Sequence, residues 1–263
     1  MMRQRQGDAL FDALSRAPEC PVEVWRLGGA GIALHTEVGL LYIDPFLDEG
    51  GGPGWVRQFP RIIDRLPEAA LVVATHEHAD HADPLALAAF SNFPACVFVG
   101  NAPSVVVAQE AGFAPAQTRT IAVGDTVREG VFTIRALPSV DPEIPAPMAI
   151  LVEVQLAGRI WRLYHGGDTQ WSDAFAQAGA AYDIDCCCLS VGAFAHEMQY
   201  YLTPAEALEA ARMLKARALI PLHWDLWQVN GVPASAFQSL PPQRDVELVV
   251  LPPGGVYCPD LGA

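Results

Sequence analysis

Apolar positions along the chain fall into two kinds of run that alternate: short β-branched stretches bounded by Gly, Pro or Asp, and longer stretches with helical spacing. The first third predicts hairpin-connected strands at VEVWRL (22–27), GIALHT (31–36) and LLYIDP (40–45), separated by glycine-containing turns. AALVVAT (69–75) predicts an apolar strand ending at His76. Asp83-Pro84 then starts a helix, with aspartate as N-cap and proline in the first helical position. ACVFVG (95–100), TRTIAV (118–123) and VFTIRALP (131–138) predict further strands, with a short helix, APSVVVAQEAG, between the first two. MAILVEVQL (148–156) and RIWRLYH (159–165) flank Ala157-Gly158 as a hairpin. YDIDCCCLSVG (182–192) predicts a strand, and Thr203, Pro204 and Glu206 open a capped helix running to 216. RALIPL (217–222) is a strand that ends at His223.

No Ser/Gly-rich linker or charge block divides residues 1–263, so a single domain is expected. Two strand-rich stretches alternating with βα units predict an α+β fold of the αββα sandwich type, two mixed sheets packed between helices.

Composition narrows the partners. At 51% hydrophobic residues the chain can bury a substantial core. A formal charge of -14 repels phosphate backbones and anionic membranes, so a small-molecule substrate is expected rather than nucleic acid or a membrane. The N-terminal stretch MMRQRQGDALFDALSRAPEC has no continuous apolar run, and a cytoplasmic location is the default. Six cysteines are present, three of them consecutive (Cys186, Cys187, Cys188), and all six read as small apolar residues of a reducing compartment. Assembly into a homo-oligomer is left open.

The chemistry concentrates in ATHEHADHAD (74–83), which holds three of the seven histidines. A loop that places His76 and His78 two residues apart lets both imidazoles converge on one cation, while Asp80 and His81 turn toward a second. Asp168, after a Gly-Gly turn, is placed to bridge both ions, and His223 to complete the second. All three segments follow the last residue of an apolar strand, as a site along one sheet edge requires. The plainer alternatives are a helix-capping turn for Asp168 and a satisfied surface histidine for His223.

THEHADH (75–81) resembles the signature of metallo-β-lactamase-fold hydrolases, and Asp44 in YIDPF resembles the aspartate that family places under its first metal loop. YHGGDTQWSDAFAQAG (164–179), YDIDCCCLSVGAF (182–194) and LIPLHWDLWQVN (219–230) resemble the L-ascorbate-6-phosphate lactonase branch. The resemblance implies His76, His78, Asp80, His81, Asp168 and His223 as metal ligands. The position usually filled by another histidine falls to Asp141 in LPSVDPE, with an Asp-Pro turn as its alternative and His165 as the other residue in reach. It further implies two divalent ions, zinc or manganese, since a carboxylate-rich site suits either. Such ions bring the pKa of water from ~15.7 to about 7, so that hydroxide attacks a lactone, ester or related centre while Asp80, the catalytic residue, orients it.

His196, Glu197, Tyr200, Tyr201, Trp224 and Trp227 are expected near the substrate, the principal candidates being His196, Tyr201 and Trp224; the aromatics have core packing as their alternative. DEGGGPGW (48–55) reads as a flap or a plain loop. The resulting expectation is a metal-dependent hydrolase of a small ester or lactone. A phosphodiesterase or ribonuclease of the same family, and a non-catalytic metal-binding scaffold, are the competing readings.

Overall fold

The computed structural model describes residues 3–4, 8–47, 66–156, 158–193, 199–241 and 245–261. In chain order the elements are β1 (Arg3–Gln4), α1 (Asp8–Leu14), β2 (Val22–Gly28), β3 (Gly31–Thr36), β4 (Gly39–Ile43), β5 (Leu71–Ala74), α2 (Pro84–Phe90), β6 (Val97–Gly100) and α3 (Ala102–Glu110). There follow β7 (Thr118–Thr120), β8 (Thr126–Glu129), β9 (Phe132–Pro138), β10 (Met148–Leu156), β11 (Arg159–His165), α4 (Ala174–Ala181), β12 (Cys186–Ser190) and α5 (Pro204–Met213). The chain closes with β13 (Ala218–Leu222), α6 (Ala234–Gln238), β14 (Glu247–Leu248) and β15 (Gly255–Tyr257).

Among the described residues the strands form two mixed sheets, ordered β1-β15-β2-β3-β4-β5-β6-β7 and β14-β13-β12-β11-β10-β9-β8. Strand periodicity explains why they stack. On β4 and β5, Leu41, Ile43, Leu71 and Val73 face the layer between the sheets, while Tyr42, Val72 and Ala74 face outward onto α2 and α3. The second sheet repeats the pattern. Ile150, Val152, Cys186, Cys188 and Ile220 point into the same central layer, whereas Leu151, Cys187 and Leu219 pack outward with Phe175 of α4 and Leu208 of α5. Each of these central strands is therefore apolar on both faces, the signature of a sheet covered on both sides. Full burial of each such side chain contributes about 1.5–3 kcal/mol, and this layering holds the two sheets together.

The helix starts follow local capping chemistry. Asp83 accepts from Leu85 N at 2.9 Å ahead of Pro84, and Thr203 and Glu206 form a reciprocal capping box at the start of α5. The expected strand at 118–123 is confined to Thr118–Thr120, because beyond Ile121 the chain turns at Gly124 into β8.

One sequence expectation is corrected. Cys20 and Cys258 form a disulfide with their Cα atoms 6.2 Å apart, while Cys96, Cys186, Cys187 and Cys188 are free and buried. The partners are 238 residues apart in sequence and meet because β15 pairs antiparallel with β2, placing Cys258 beside the residue that leads into β2. The alternating faces of Cys186–Cys188 are as their strand position demands.

Candidate metal centre

Four strand ends deliver the site. β4 runs into Asp44, β5 into Thr75 and His76, β11 into the Gly166-Gly167-Asp168 turn, and β13 into His223. Two of these strands belong to each sheet, so the site lies where the two layers meet. His165 Nε2–H donates to Ala30 O at 2.9 Å and His223 N–H donates to Gly29 O at 2.9 Å, which ties the end of the second sheet to the β2–β3 turn of the first. Gly167 has φ 61°, and a Cβ there would lie 3.0 Å from Thr75 Cβ. Glycine at this position therefore lets the Asp168 turn close onto the histidine loop.

Asp44 organises the floor of the site. Its backbone is left-handed (φ 46°) and its side chain is fully buried. Thr75 N–H and Thr75 Oγ1–H donate to its two oxygens at 2.8 and 2.7 Å, and His81 Nδ1 lies 2.8 Å from Oδ2. An ionised Asp44 makes Nδ1 of His81 the donor, which leaves Nε2 as the lone-pair nitrogen facing the centre. Burial acts to raise the Asp44 pKa, but His81 outweighs it and holds the carboxyl below its ordinary range. Glu77, interleaved among the histidines, turns away to accept from Asn101 Nδ2 at 3.1 Å, and Asn101 in turn caps α3.

The donors form two overlapping groups, His76 with His81 and Asp168, and Asp80 with His81 and His223. His223 Nε2 is 3.2 Å from Asp80 Oδ2 and 3.8 Å from Asp168 Oδ1, and His81 Nε2 is 3.2 Å from Asp168 Oδ2. His78 stands at the mouth, its ring centroid 4.6 Å from that of His76, and belongs to neither group. Several buried polar atoms here make no hydrogen bond: His76 Nε2, His81 Nε2, Asp168 Oδ1 and His223 Nδ1. Buried polar atoms are normally satisfied, so this concentration of orphans among imidazole and carboxylate donors fits divalent cations.

Electrostatics agree with that fit. Burial, followed by His81, lowers the His76 pKa to about 3, so this ring is neutral at working pH. Burial alone would lower the pKa of His81, but Asp168, Asp44 and Asp80 outweigh it and raise it well above the ordinary value. The same carboxylates attract a metal ion, so proton and cation compete for one place. Burial acts to raise the Asp168 carboxyl, yet His81 and His223 hold it far below the usual range.

Beside the donors lies a cavity of about 240 Å³ whose wall includes His78, Asp80, Asp141, Asp168, Tyr201 and Trp227. Asp141 is not brought into either donor group. Its Oδ1 accepts from Glu143 N–H at 2.7 Å, the turn geometry that was its alternative, while its side chain stands on the cavity wall with His78 and Asp168. His165 is excluded as a ligand by its partners: Nε2–H serves Ala30 O, and Nδ1 accepts from Gly167 N–H at 3.2 Å.

Tyr201 lines the cavity, its ring centroid 4.4 Å from that of His223. A Cβ on Gly192 would lie 2.6 Å from Tyr201 Cδ2, so glycine there makes room for the ring. Trp224, expected on the substrate side, is a core residue instead. Its Nε1–H donates to Pro221 O at 3.2 Å and its ring packs edge-on against Phe237, with Arg26 over one face. Three residues further on, Trp227 lines the cavity. His196, Glu197 and the 48–55 stretch lie outside the described residues.

The sequence reading missed Arg26. This wholly buried guanidinium pairs with both carboxylate oxygens of Asp225 and donates to Leu251 O at 3.1 Å, fixing the loop that follows His223. Its only signal was a charged residue amid the apolar run VEVWRL.

Residues 41–224 match the model of the beta-lactamase superfamily domain, and the chain belongs to that superfamily. Its two sheets between helix layers are the metallo-β-lactamase fold. A metal-dependent hydrolase of Pyrobaculum arsenaticum is 27% identical over 203 residues, covering 75% of this chain and 82% of that protein. A probable L-ascorbate-6-phosphate lactonase of Salmonella paratyphi B is 28% identical over 193 residues, 65% of this chain and 54% of the relative. The chain thus spans about half the length of the lactonases it matches. Among solved structures, Igni18, a metallo hydrolase of Ignicoccus hospitalis, superposes with a TM-score of 0.71 at 19% identity, covering 90% of this chain and 97% of that one. No helix among the described residues is long and apolar enough to cross a membrane.

Proposed function

We propose that this chain is a metal-dependent hydrolase that opens or cleaves a small ester or lactone, using two divalent ions of zinc or manganese. The observation that carries this reading is the pair of donor groups sharing His81, set beside a cavity of about 240 Å³. The metal-dependent hydrolase and lactonase relatives support it.

One position would be held by His76 and Asp168, with His78 drawn in from the mouth and Asp141 on the open side. The other would be held by Asp80, His81 and His223, with Asp168 within reach of both. When bound, divalent ions supply Lewis acidity toward a carbonyl oxygen and bring water close to neutral pKa. The chain's own residues do the rest. Asp80, whose Oδ2 lies 3.2 Å from His223 Nε2, would accept a hydrogen bond from the attacking water and is the group placed to pass a proton to the leaving oxygen. Thr75 and Asp44 keep His81 in one tautomer and orientation. Burial and the neighbouring carboxylates raise the pKa of the Tyr201 hydroxyl, so it stays a neutral donor toward bound substrate. Phosphodiesters of nucleic acid fit poorly, because the described cavity wall offers carboxylates and no Lys or Arg.

The test is elemental analysis of untagged protein together with turnover of lactones, β-lactams and phosphodiesters, with chelator and with added Mn²⁺ or Zn²⁺. Two ions per chain and metal-restored lactone or ester hydrolysis are expected. Metal binding without turnover of any of these would instead favour a non-catalytic scaffold.

A further inference from the structure

The cavity beside the metal centre has a chemistry of its own. Tyr200, Tyr201 and Trp227 supply three aromatic side chains, and Glu143 adds a carboxylate. Among the described residues no Lys or Arg lines it. Asp80, Asp141 and Asp168 also face this space, but Asp80 and Asp168 belong to the donor groups, where bound cations would offset their charge. Glu143 is not needed for that task. It is exposed and lies in a turn where its own N–H donates to Asp141 Oδ1 at 2.7 Å, so its position relative to the mouth is fixed by the backbone.

Aromatic faces beside a carboxylate attract cations, because the ring quadrupole and the full charge act in the same direction. A phosphoryl or carboxylate group would meet Glu143 with no described cationic partner. Two further observations point the same way. The Tyr201 hydroxyl lies in the field of four carboxylates, Asp168, Asp80, Asp141 and Glu143, so the ring and these charges share one space. The whole chain carries a formal charge of -14, which raises the local concentration of cationic ligands and repels anionic ones. Asp168, whose buried Oδ1 has no hydrogen-bond partner, lines this space as well, so the cavity is continuous with the donor groups.

We propose that the site selects substrates bearing an organic ammonium group, held against Tyr200, Tyr201 and Trp227 with Glu143 as counter-charge, while the ester or lactone carbonyl reaches the metal centre. This rests on the hydrolase reading above, which supplies the reacting half of the site. The reaction itself is unchanged: water adds to the carbonyl carbon, the C–O bond breaks, and the alkoxide takes a proton to give acid and alcohol. The ammonium group takes no part.

Two measurements separate this inference from the hydrolase reading. The first is calorimetric titration of the metal-loaded protein with choline and, separately, with inorganic phosphate. Choline is expected to bind, with its affinity reduced about tenfold in Trp227→Leu and in Glu143→Gln. Saturable binding of phosphate without binding of choline overturns the inference whether or not the protein hydrolyses anything. Choline affinity unchanged in both variants also overturns it.

The second is turnover of three matched γ-butyrolactones carrying a trimethylammonium, a tert-butyl or a phosphonate substituent. The trimethylammonium lactone is expected to exceed its tert-butyl isostere in kcat/KM by about tenfold, and Glu143→Gln is expected to shrink that ratio. Equal rates for those two, or a preference for the phosphonate, would sink the ammonium assignment while leaving the hydrolase standing. Choline binding with no turnover of any lactone would sink the hydrolase reading and leave the cation site.

Discussion

Asp44 and His81 are joined by a 2.8 Å hydrogen bond with neither side chain exposed to solvent at all. The bond converts a buried charge into an orienting device, since it fixes which His81 nitrogen faces the centre. Asp44→Asn keeps a residue that tolerates the left-handed backbone and removes the charge. Metal affinity should fall about 10–100-fold, read by titration against a competing chelator, with the fold intact by circular dichroism. Unchanged affinity would deny Asp44 its orienting role.

Removing a direct donor should act more severely. His76→Ala and His223→Ala are each expected to lower bound metal and abolish hydrolysis while the far-ultraviolet spectrum stays that of the parent. An active His76→Ala protein would break the proposed ligand set. His165→Ala is the contrasting case: it should keep its metal and lose thermal stability, because both ring nitrogens are spent on Ala30 and Gly167.

Arg26 holds the loop after His223 through a pair that is largely out of water. Arg26→Met takes the buried guanidinium away from Asp225 and should cost about 3–5 kcal/mol. That corresponds to a fall in Tm of on the order of 10 °C. The double variant Arg26→Met/Asp225→Leu should recover part of the loss. Additive losses in the double variant would show that the pair is not the source.

The Cys20–Cys258 bridge closes nearly the whole chain into a loop. On chain-entropy grounds it contributes up to about 5 kcal/mol. Reductant should lower the Tm of the parent toward that of Cys20→Ser and leave the variant's Tm unmoved. A parent insensitive to reductant would mean the bridge adds no stability.

Glu153 sits between Arg162, 2.8 Å from one oxygen, and Arg135, 3.0 Å from the other. Burial acts to raise its pKa, but the hydrogen bonds from Arg162 and Arg135 hold it below the ordinary value. A depressed folded-state pKa means that its stabilisation is full above the unfolded value, about 4.3, and disappears as pH falls through the folded one. The stability gap between parent and Glu153→Gln should therefore be widest at neutral pH and narrow below about pH 4. A gap that widened on acidification would reverse the assignment.

The sequence carried the sheets and the metal loops better than the connections between distant segments. The β-branched run LVVA (Leu71–Ala74) and the cap at Asp83-Pro84 are local signals, and they were legible because a strand's period and a helix's cap depend on near neighbours. Arg26 with Asp225, Cys20 with Cys258, and the placement of Trp224 inward and Trp227 outward depend on long-range register, which no window of sequence contains. Strands β8 and β15 were missed because neither carries an apolar run: β8 reads TVRE, with one apolar residue, and β15 only GVY.

The imidazole loop comes from one sheet, while Asp168 and His223 come from the other. An ion clasped between them would act as a rivet across the sandwich. Loading with metal should therefore be among the last events of folding, and neither half of the polypeptide made alone should retain the ions. Stripping them from the finished protein should loosen the seam between the layers before it disturbs either layer itself.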